Sequence, residues 1–298
     1  MNSEQENMLI LEGKMDYWGP FEQKEGDWLI FTVGNPEEGH GYALPRNIDD
    51  LTAQHIGLKI SLRTGSRYVA HIPFTTDYAG DAARDWAPKY MPVAQFIPKV
   101  IDFLKFHINT YEKIGLKASK IFIYSGHGGN DPLMDYKDEL KNSLKVEKLF
   151  IGTGAILEED INKIREATIK LARDLSDTPE EEKKIGNELV QILLSTGHAG
   201  HMEHSMGYAL DIMDKEKLEI MNQQLEKNFE ETIKKFPPVG GLGGYLLAGG
   251  KYEKALGSKR NDKFGLWNCL KTLRKLDKGR IKPYKELGKM VIEMIIDA

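Results

Sequence analysis

Three short segments of the chain combine histidines and carboxylates with glycines. In sequence order they are Glu38-Gly-His40 followed by Asp49, Ser125-Gly-His127-Gly-Gly-Asn130, and Gly197-His198-Ala-Gly-His201-Met-Glu203-His204. Five of the eight histidines lie in these segments. A hydrophobic core does not need this composition, whereas imidazole and carboxylate groups are common ligands of divalent metal ions. The segments therefore predict a metal site, and the chemistry that such a site suits best is hydrolysis.

The spacing of these residues fits a site with two metal ions. Such a site needs a carboxylate that binds both ions, further ligands for each ion, and space for a water molecule. Glu38 and His40 are two residues apart, so their side chains share a face if the segment is extended. Asp49 stands at the start of a predicted helix, where a bridging carboxylate would be held rigidly. Nitrogen and oxygen ligands without thiolates favour two divalent ions of Zn, Mn or Fe(II) as cofactors.

His198 and Glu203 are the candidates for the remaining chemistry. The carboxylate can complete the coordination of a metal ion, and a histidine that binds no metal can act as a general acid. Ordinary explanations also exist, since Asp49 alone would suit a helix N-terminus and Glu203 an exposed helix. His201 and His204 either line the pocket or lie at the surface.

Alternating strands and helices position these segments. Runs rich in β-branched and aromatic residues predict strands, and apolar residues at helical spacing predict helices. The predicted strands are 28–33, 68–73, 120–125 and 146–152, and the predicted helices between them are 50–64 and 93–114. This alternation predicts an α/β fold in which helices cover both faces of a mostly parallel sheet. The first two segments follow predicted strands directly, so we expect the site at the carboxyl ends of the strands.

The second half of the chain is mostly helical by its pattern. A polar pair of helices is predicted across 157–194, a charged helix at 218–236 and an amphipathic helix at 285–296. The glycine-rich stretch 240–244 follows no strand, which disfavours a dinucleotide-binding loop. We expect one domain, 1–298, with a helical insertion around 157–194 and a loop or lid region around 237–265.

The composition of the chain limits the classes of partner and the cellular compartment that we expect. The chain has 298 residues, a formal net charge of −4 and a single cysteine, Cys269. This charge favours neither nucleic acid nor an acidic membrane, so the expected partner is a small-molecule substrate. One cysteine allows no disulfide within the chain and excludes a cysteine-rich zinc site. No segment has the character of a signal peptide or a membrane span, so we expect a cytoplasmic protein.

The three segments together resemble the signature motifs of the creatininase family. The stretch EGHGYALPRNID, from Glu38 to Asp49, is similar to the family's E-x-H-G-x-H-L-P followed by an aspartate. The second segment is similar to N-G-H-G-G-N, and the third, which continues to Ser205, is similar to H-A-G-x-x-E-T-S. The motifs stand in the family's order, and the resemblance spans most of residues 28–210.

The resemblance implies a three-layer α/β/α subunit with a binuclear metal site. Asp49 would bridge the two ions, and His198 would be the catalytic histidine. The other implied ligands are Glu38 and His127 for one ion, and His40 and Glu203 for the other. The resemblance also implies a homo-oligomer, either a hexamer or another multimer.

Several positions depart from the family pattern. Gly129 stands where creatininase itself has a glutamate, which disfavours creatinine as the substrate and assigns the second-site carboxylate to Glu203. Ala43 and His204 replace a histidine and a threonine of the motifs. We therefore expect a changed substrate pocket, whose candidate residues are Asp77, Trp86, Ser125, Asn130, His201 and His204.

Three functions remain open at this point. The first is metal-dependent hydrolysis of a small polar cyclic amide or formamide, in which His198 protonates the leaving group. The second is hydrolytic carbon–carbon cleavage of a cyclic diketone derived from an inositol or sugar. The third is a non-catalytic relative that binds a metal or a ligand. The remaining histidines, which are His55, His71 and His107, are expected to be structural.

Overall fold

The computed structural model describes residues 28–77, 80, 84, 87–153, 161–194, 198–236 and 280–298. Its central sheet has four parallel strands, which are β1 (Leu29–Val33), β2 (Arg67–Ile72), β5 (Lys120–Ser125) and β6 (Lys148–Thr153). Their order across the sheet is β2-β1-β5-β6. Two short parallel strands form a second sheet, β3 (Thr75–Thr76) with β4 (Tyr90–Met91). Because the four central strands share one direction, their carboxyl ends lie along one edge.

Helices connect and follow the strands. In chain order they are α1 (Ile48–Thr64), α2 (Val93–Lys113), α3 (Pro132–Asp135), α4 (Lys137–Leu144), α5 (Ile161–Asp174), α6 (Pro179–Leu194), α7 (His201–Ala209), α8 (Lys215–Lys227), α9 (Phe229–Lys235) and α10 (Lys285–Asp297). In the described parts of the chain, no helix is both long enough and apolar enough to cross a membrane.

Two hydrophobic clusters cover the two faces of the central sheet. On one face, α2 and α4 pack through residues that include Phe96, Leu104 and Leu140. On the other face, α1 and α10 pack through Ile56 and Leu287. All five residues of β1 are buried, as expected for a central strand that helices cover on both sides. The predicted α/β/α fold with a mostly parallel sheet is therefore confirmed.

The region 218–236 differs from its prediction. The charged pattern predicted one helix, but α8 and α9 meet at Asn228, whose φ of −153° is not helical. The Asn228 side chain accepts a hydrogen bond from the backbone N–H of Glu231 and so caps α9. The prediction of a continuous helix was wrong because a capping asparagine within a charged pattern resembles any other polar residue.

Some of the remaining helices and strands were predicted from the sequence and others were not. The helical pair predicted within 157–194 is present as α5 and α6. The pattern did not predict β3, β4, α3, α4 or α7, all of which are short. Trp86 and the predicted loop or lid region around 237–265 lie outside the described residues.

Two glycines allow α1 to approach the ends of the strands. A Cβ on Gly34, directly after β1, would lie 2.4 Å from the backbone nitrogen of Asp50. A Cβ on Gly126, directly after β5, would lie 2.7 Å from the carbonyl oxygen of Asp49. No side chain fits at either position without movement of the helix backbone. The first turn of α1 therefore sits against both strand ends and carries Asp49 to the edge of the sheet.

Candidate metal centre

Residues of all three segments converge at the carboxyl end of the sheet. Glu38 and His40 lie in the loop after β1, Asp49 in the first turn of α1, and His127 in the loop after β5. The first turn of α7 brings Glu203 to the same place. The first four residues are at most 7% exposed. Four separate elements thus supply one buried polar cluster.

His127 lies between two carboxylates. Its Nδ1 is 2.9 Å from Glu38 Oε2 and 3.0 Å from Asp49 Oδ2. One ligand atom from each of the three residues lies within 4.8 Å of the others, so a single ion can contact all three. These residues form the first candidate ligand group.

His40 connects the other oxygen of Asp49 with Glu203. Its Nε2 is 3.2 Å from Asp49 Oδ1 and 3.8 Å from Glu203 Oε2. These three residues form a second candidate ligand group. Asp49 therefore belongs to both groups and faces the first with Oδ2 and the second with Oδ1.

The cluster suits divalent ions better than a closed set of hydrogen bonds. Its carboxylates only accept hydrogen bonds when ionised, so acceptors outnumber the donors around them. Glu38 Oε2 and His40 Nε2 are two of several buried side-chain atoms of the described residues that lack a well-formed hydrogen bond. Such atoms are costly in a protein interior, and a metal ion with nitrogen and oxygen ligands would satisfy them. The residues present therefore fit a divalent metal centre.

Burial and mutual charge set the protonation of the cluster. Burial raises the pKa of Glu38 and of Glu203 to about 7, against the effect of the neighbouring histidines. Burial would lower the pKa of His40, but the charges of Asp49 and Glu203 raise it to about 10. Burial acts to raise the pKa of Asp49, but His40 and His127 hold it well below its usual value. The cluster retains protons near neutral pH, and metal ions would displace them.

His198 lies beside both groups. Its Nε2 donates a hydrogen bond to the carbonyl oxygen of Gly39, which leaves the lone pair on Nδ1, 3.5 Å from Glu38 Oε1. Its ring centroid is 4.1 Å from that of His40. Burial, followed by the charge of His40, lowers the pKa of His198 well below its usual value. Since Glu38, His40 and His198 also form a candidate ligand group, the geometry allows His198 to bind metal or to transfer a proton.

Comparison with known proteins relates the chain to a group of deformylases. No family model matches the chain. The 2-amino-5-formylamino-6-ribosylaminopyrimidin-4(3H)-one 5'-monophosphate deformylase of Methanothermus fervidus is 25% identical over 272 residues, 85% of this chain and 87% of that protein. The same deformylase of Methanococcus maripaludis strain C5 is 28% identical over 144 residues, which are 47% of this chain and 59% of that protein. The chain thus matches little more than half the length of the second relative.

The match to the Methanothermus fervidus protein extends over most of both chains. The chain is similar to this group of deformylases. Among solved structures, creatininase (creatinine amidohydrolase) aligns with 100% of this chain and 92% of its own, at 14% identity and a TM-score of 0.47. That likeness is too weak to assign a function. The curated relatives named here are deformylases rather than creatininase.

Asn130 of the second creatininase-type motif forms its hydrogen bonds within the protein. Its amide oxygen accepts hydrogen bonds from Thr75 Oγ1 at 2.9 Å and from the backbone N–H of Thr76 at 3.1 Å. Its amide nitrogen donates to the carbonyl oxygen of Gly34 at 3.0 Å. These bonds tie the end of β1 to β3 and to the loop after β5. Contact of Asn130 with a substrate stays a prediction.

Three further predicted pocket residues are buried. Ser125, His201 and His204 are 2%, 3% and 0% exposed. Ser125 Oγ donates a hydrogen bond to the carbonyl oxygen of His127, and burial lowers the pKa of His204 to about 3. The alternative that His201 and His204 lie at the surface is therefore wrong. Their role in substrate binding stays a prediction, as does that of Trp86, which lies outside the described residues.

Two further residues border His127 on the side away from the first ligand group. Asp77, predicted to bind substrate, places Oδ2 3.6 Å from His127 Nε2. Asn35 was not singled out from the sequence, yet it is fully buried and its Nδ2 lies 3.5 Å from the same nitrogen. Its position directly after Gly34, at a predicted strand end, was the available signal. Both residues therefore border a ligand candidate.

Proposed function

We propose that this protein is a metal-dependent hydrolase that cleaves the C–N bond of a formamide group on a small polar molecule. The observation that carries this proposal is the placement of Asp49, whose two oxygens face two separate ligand groups. The relatives support the formamide, because by name they deformylate a formylamino pyrimidinone that carries a ribosyl monophosphate. A phosphorylated formylamino pyrimidine is thus the first substrate to test, and a cyclic amide is the second.

Each ligand group would hold one divalent ion. Glu38 and His127 would complete the first ion, His40 and Glu203 the second, and Asp49 would contact both. Zn, Mn and Fe(II) suit these nitrogen and oxygen ligands. When bound, the two ions would supply a water nucleophile that is active near neutral pH and positive charge for the developing oxyanion.

His198 is the residue that we assign to proton transfer. Hydrolysis of a formamide adds water across the C–N bond, so formate leaves and the nitrogen must gain a proton. The contact of Nε2 with Gly39 fixes the ring, and Nδ1 points into the cluster toward Glu38. A neutral imidazole in this position can take a proton from the attacking water and pass it to the leaving nitrogen. Glu203, whose side chain is 27% exposed, is the second acid–base candidate.

A formate-release assay tests the proposed function. The purified protein is treated with a chelator, reloaded separately with Mn, Fe(II) or Zn, and given the relatives' formylamino pyrimidine substrate. We expect formate release that chelation abolishes and one of these metals restores. The panel also contains creatinine, lactams and a cyclic diketone derived from inositol. If only the diketone is turned over, the proposed C–N cleavage is wrong and C–C cleavage takes its place. Bound metal without turnover of any compound would support a non-catalytic relative.

We also propose that the chain acts as one creatininase-type domain within a cytoplasmic homo-oligomer. Large apolar side chains on the described surface support subunit contacts, since Phe106 and Phe150 are 67% and 53% exposed. Light scattering coupled to size exclusion measures the assembly directly. A monomer at micromolar concentration would contradict the oligomer and leave the metal site unaffected.

A further inference from the structure

The carboxylate of Asp77 lies near the second ring nitrogen of His127, the histidine of the first ligand group. His127 directs Nδ1 toward Glu38 and Asp49, at 2.9 Å and 3.0 Å, and directs Nε2 toward Asp77 Oδ2, at 3.6 Å. Asp77 is 4% exposed and His127 is 7% exposed. A neutral histidine that binds metal through one nitrogen carries its proton on the other, and a carboxylate commonly accepts a hydrogen bond from that second nitrogen. Asp77 occupies the position of such an acceptor.

The fold holds Asp77 in place independently of the ligand groups. Asp77 directly follows β3, and β3 pairs with β4 through Thr75 and Thr76. The same two threonines donate hydrogen bonds to the amide oxygen of Asn130, three residues after His127. One asparagine thus joins the strand that carries Asp77 to the loop that carries the histidine. This connection fixes the separation between the carboxylate and the imidazole.

Gly129 keeps the space between the two side chains open. A Cβ at this position would lie 2.2 Å from His127 Nε2 and 2.9 Å from Asp77 Oδ2. No side chain fits there unless the imidazole or the carboxylate moves. A larger side chain such as that of glutamate is therefore incompatible with the arrangement of His127 and Asp77 in this chain.

Asn35 is the other polar group near His127 Nε2. Its effect on which ring nitrogen carries the proton is opposite to that of Asp77. The Asn35 Oδ1 accepts a hydrogen bond from the backbone N–H of Glu37, which turns Nδ2 toward His127 at 3.5 Å. An amide donor favours a lone pair on Nε2 and therefore a proton on Nδ1, where the metal must bind. A carboxylate favours the proton on Nε2. Of these two neighbours, Asp77 is the one that can accept a hydrogen bond from a proton on Nε2.

We propose that Asp77 is a positioning residue that orients His127 and keeps its proton on Nε2, so that Nδ1 is free to bind metal. This inference rests on the metal site of the proposed function and is independent of the substrate. Loss of such a partner typically weakens metal affinity or activity by about 10- to 100-fold. The expected effect is therefore on one of the two ions, the one that contacts His127.

The test compares three variants with the wild-type protein. Asp77→Ala removes the acceptor, Asp77→Asn keeps an acceptor oxygen but removes the charge, and Glu37→Gln is the matched control. Glu37 is a nearby carboxylate whose partners among the described residues are Lys89 and Arg46, not a ligand candidate. Co(II) affinity is measured by competition with a chromophoric chelator, and the visible absorption spectrum of the Co(II) protein reports the coordination of the ion.

We expect Asp77→Ala to weaken binding of one Co(II) ion by about 10- to 100-fold and to change its spectrum. Asp77→Asn should show a smaller loss, and Glu37→Gln should match the wild-type protein. Wild-type affinity and spectrum in Asp77→Ala would overturn the inference, as would a wild-type protein that binds no Co(II). If Asp77→Ala does not fold, Asp77→Asn decides by the same readouts. No substrate is used, so failure of this test and failure of the deformylase assay are separate results.

Discussion

Two neighbouring clusters place histidine beside aspartate, and only one has the composition of a metal site. In the first, Asp49 lies between His40 and His127. In the second, the next residue, Asp50, lies 3.0 Å from His71 Nε2. Both aspartates belong to the first turn of α1, so they share an element and a depth in the fold. The difference between the clusters lies in what surrounds each pair.

The second cluster contains a single carboxylate and a single imidazole. His71 Nδ1 is 2.8 Å from Thr32 Oγ1, which is itself 2.8 Å from the hydroxyl of Tyr68. Asp50 Oδ1 and His71 Nε2 lack a well-formed hydrogen bond, as two atoms of the first cluster do, but one carboxylate and one imidazole offer few ligands for an ion. The first cluster instead gathers three carboxylates, and among the described residues only that cluster contains candidate ligand groups. The number of carboxylates and histidines gathered together, rather than the presence of one histidine beside one aspartate, distinguishes the candidate metal site.

The largest expected effect comes from removal of a histidine of the first cluster. His127→Ala leaves Glu38 and Asp49 without their shared partner. Because bound ions supply several kcal/mol of transition-state stabilisation, we expect formate release to fall by about 10³-fold or more. Turnover numbers and metal content are measured together. The control is His107→Gln on α2, and equal activity of the two variants would remove His127 from the site.

An added methyl group beside the same histidine should have the next largest effect. Gly129→Ala places a Cβ 2.2 Å from His127 Nε2, whereas a Cβ on Gly128 would meet nothing within 4 Å. We expect Gly129→Ala to weaken binding of one ion by about 10- to 100-fold and Gly128→Ala to leave it unchanged. Metal titration of both proteins measures the difference. Equal affinities would show that this side of His127 does not control the ion.

The second cluster should respond in stability rather than in metal binding. His71→Gln removes the partner of a largely buried carboxylate, and loss of a hydrogen bond to a charged group costs about 1–3 kcal/mol. We expect the free energy of unfolding to fall by that amount while metal content and activity stay at wild-type values. Urea unfolding and metal analysis of one preparation check both statements. Loss of metal without loss of stability would reverse the contrast between the clusters.

A smaller effect is expected from His55, in the middle of α1. Burial, together with the charge of Lys59, lowers the pKa of His55 from its usual value of about 6.5 to about 4. The unfolded chain therefore gains a proton below about pH 6.5 while the folded protein does not, so stability falls as pH falls. Between about pH 6.5 and pH 5, protonation of His55 in the unfolded chain lowers the free energy of unfolding by about 2 kcal/mol.

The variant His55→Gln isolates this contribution. Wild-type and variant proteins are unfolded in urea across that pH range, and the difference between their free energies is taken at each pH. We expect the variant to lose less stability than the wild-type protein as pH falls. Parallel pH profiles would show that His55 has the same proton affinity in the folded and unfolded states.

The sequence predicted the sheet well because its strands carry a strong local pattern. Lys120–Ser125 was predicted with the bounds that the structure has, since a buried parallel strand reads as a continuous apolar run. The short strands β3 and β4 were missed because two residues each cannot show a period. Both residues of β3 donate hydrogen bonds to Asn130, which lies in a distant part of the chain. Such tertiary contacts leave no local signal in the sequence.

The site was predicted as a set of residues, and its geometry came from the fold. Glycines and ligand types marked Glu38, His40 and His127 in the chain, but nothing in their spacing showed which oxygen of Asp49 each histidine would face. The distinction between Asp49 and Asp50 was likewise hidden, because adjacent aspartates on a helix point in different directions. The neighbours that the fold supplies make Asp49 a ligand candidate and make Asp50 the partner of His71.

Metal stoichiometry tests the central claim, that Asp49 bridges two ions, most directly. The wild-type protein, Asp49→Ala and Glu203→Ala are reloaded with Mn or Zn, and bound metal per chain is measured by mass spectrometry. The bridging geometry predicts two ions in the wild-type protein, one ion in Glu203→Ala and none in Asp49→Ala. A wild-type protein with a single ion, or an Asp49→Ala variant that still binds two, would contradict it.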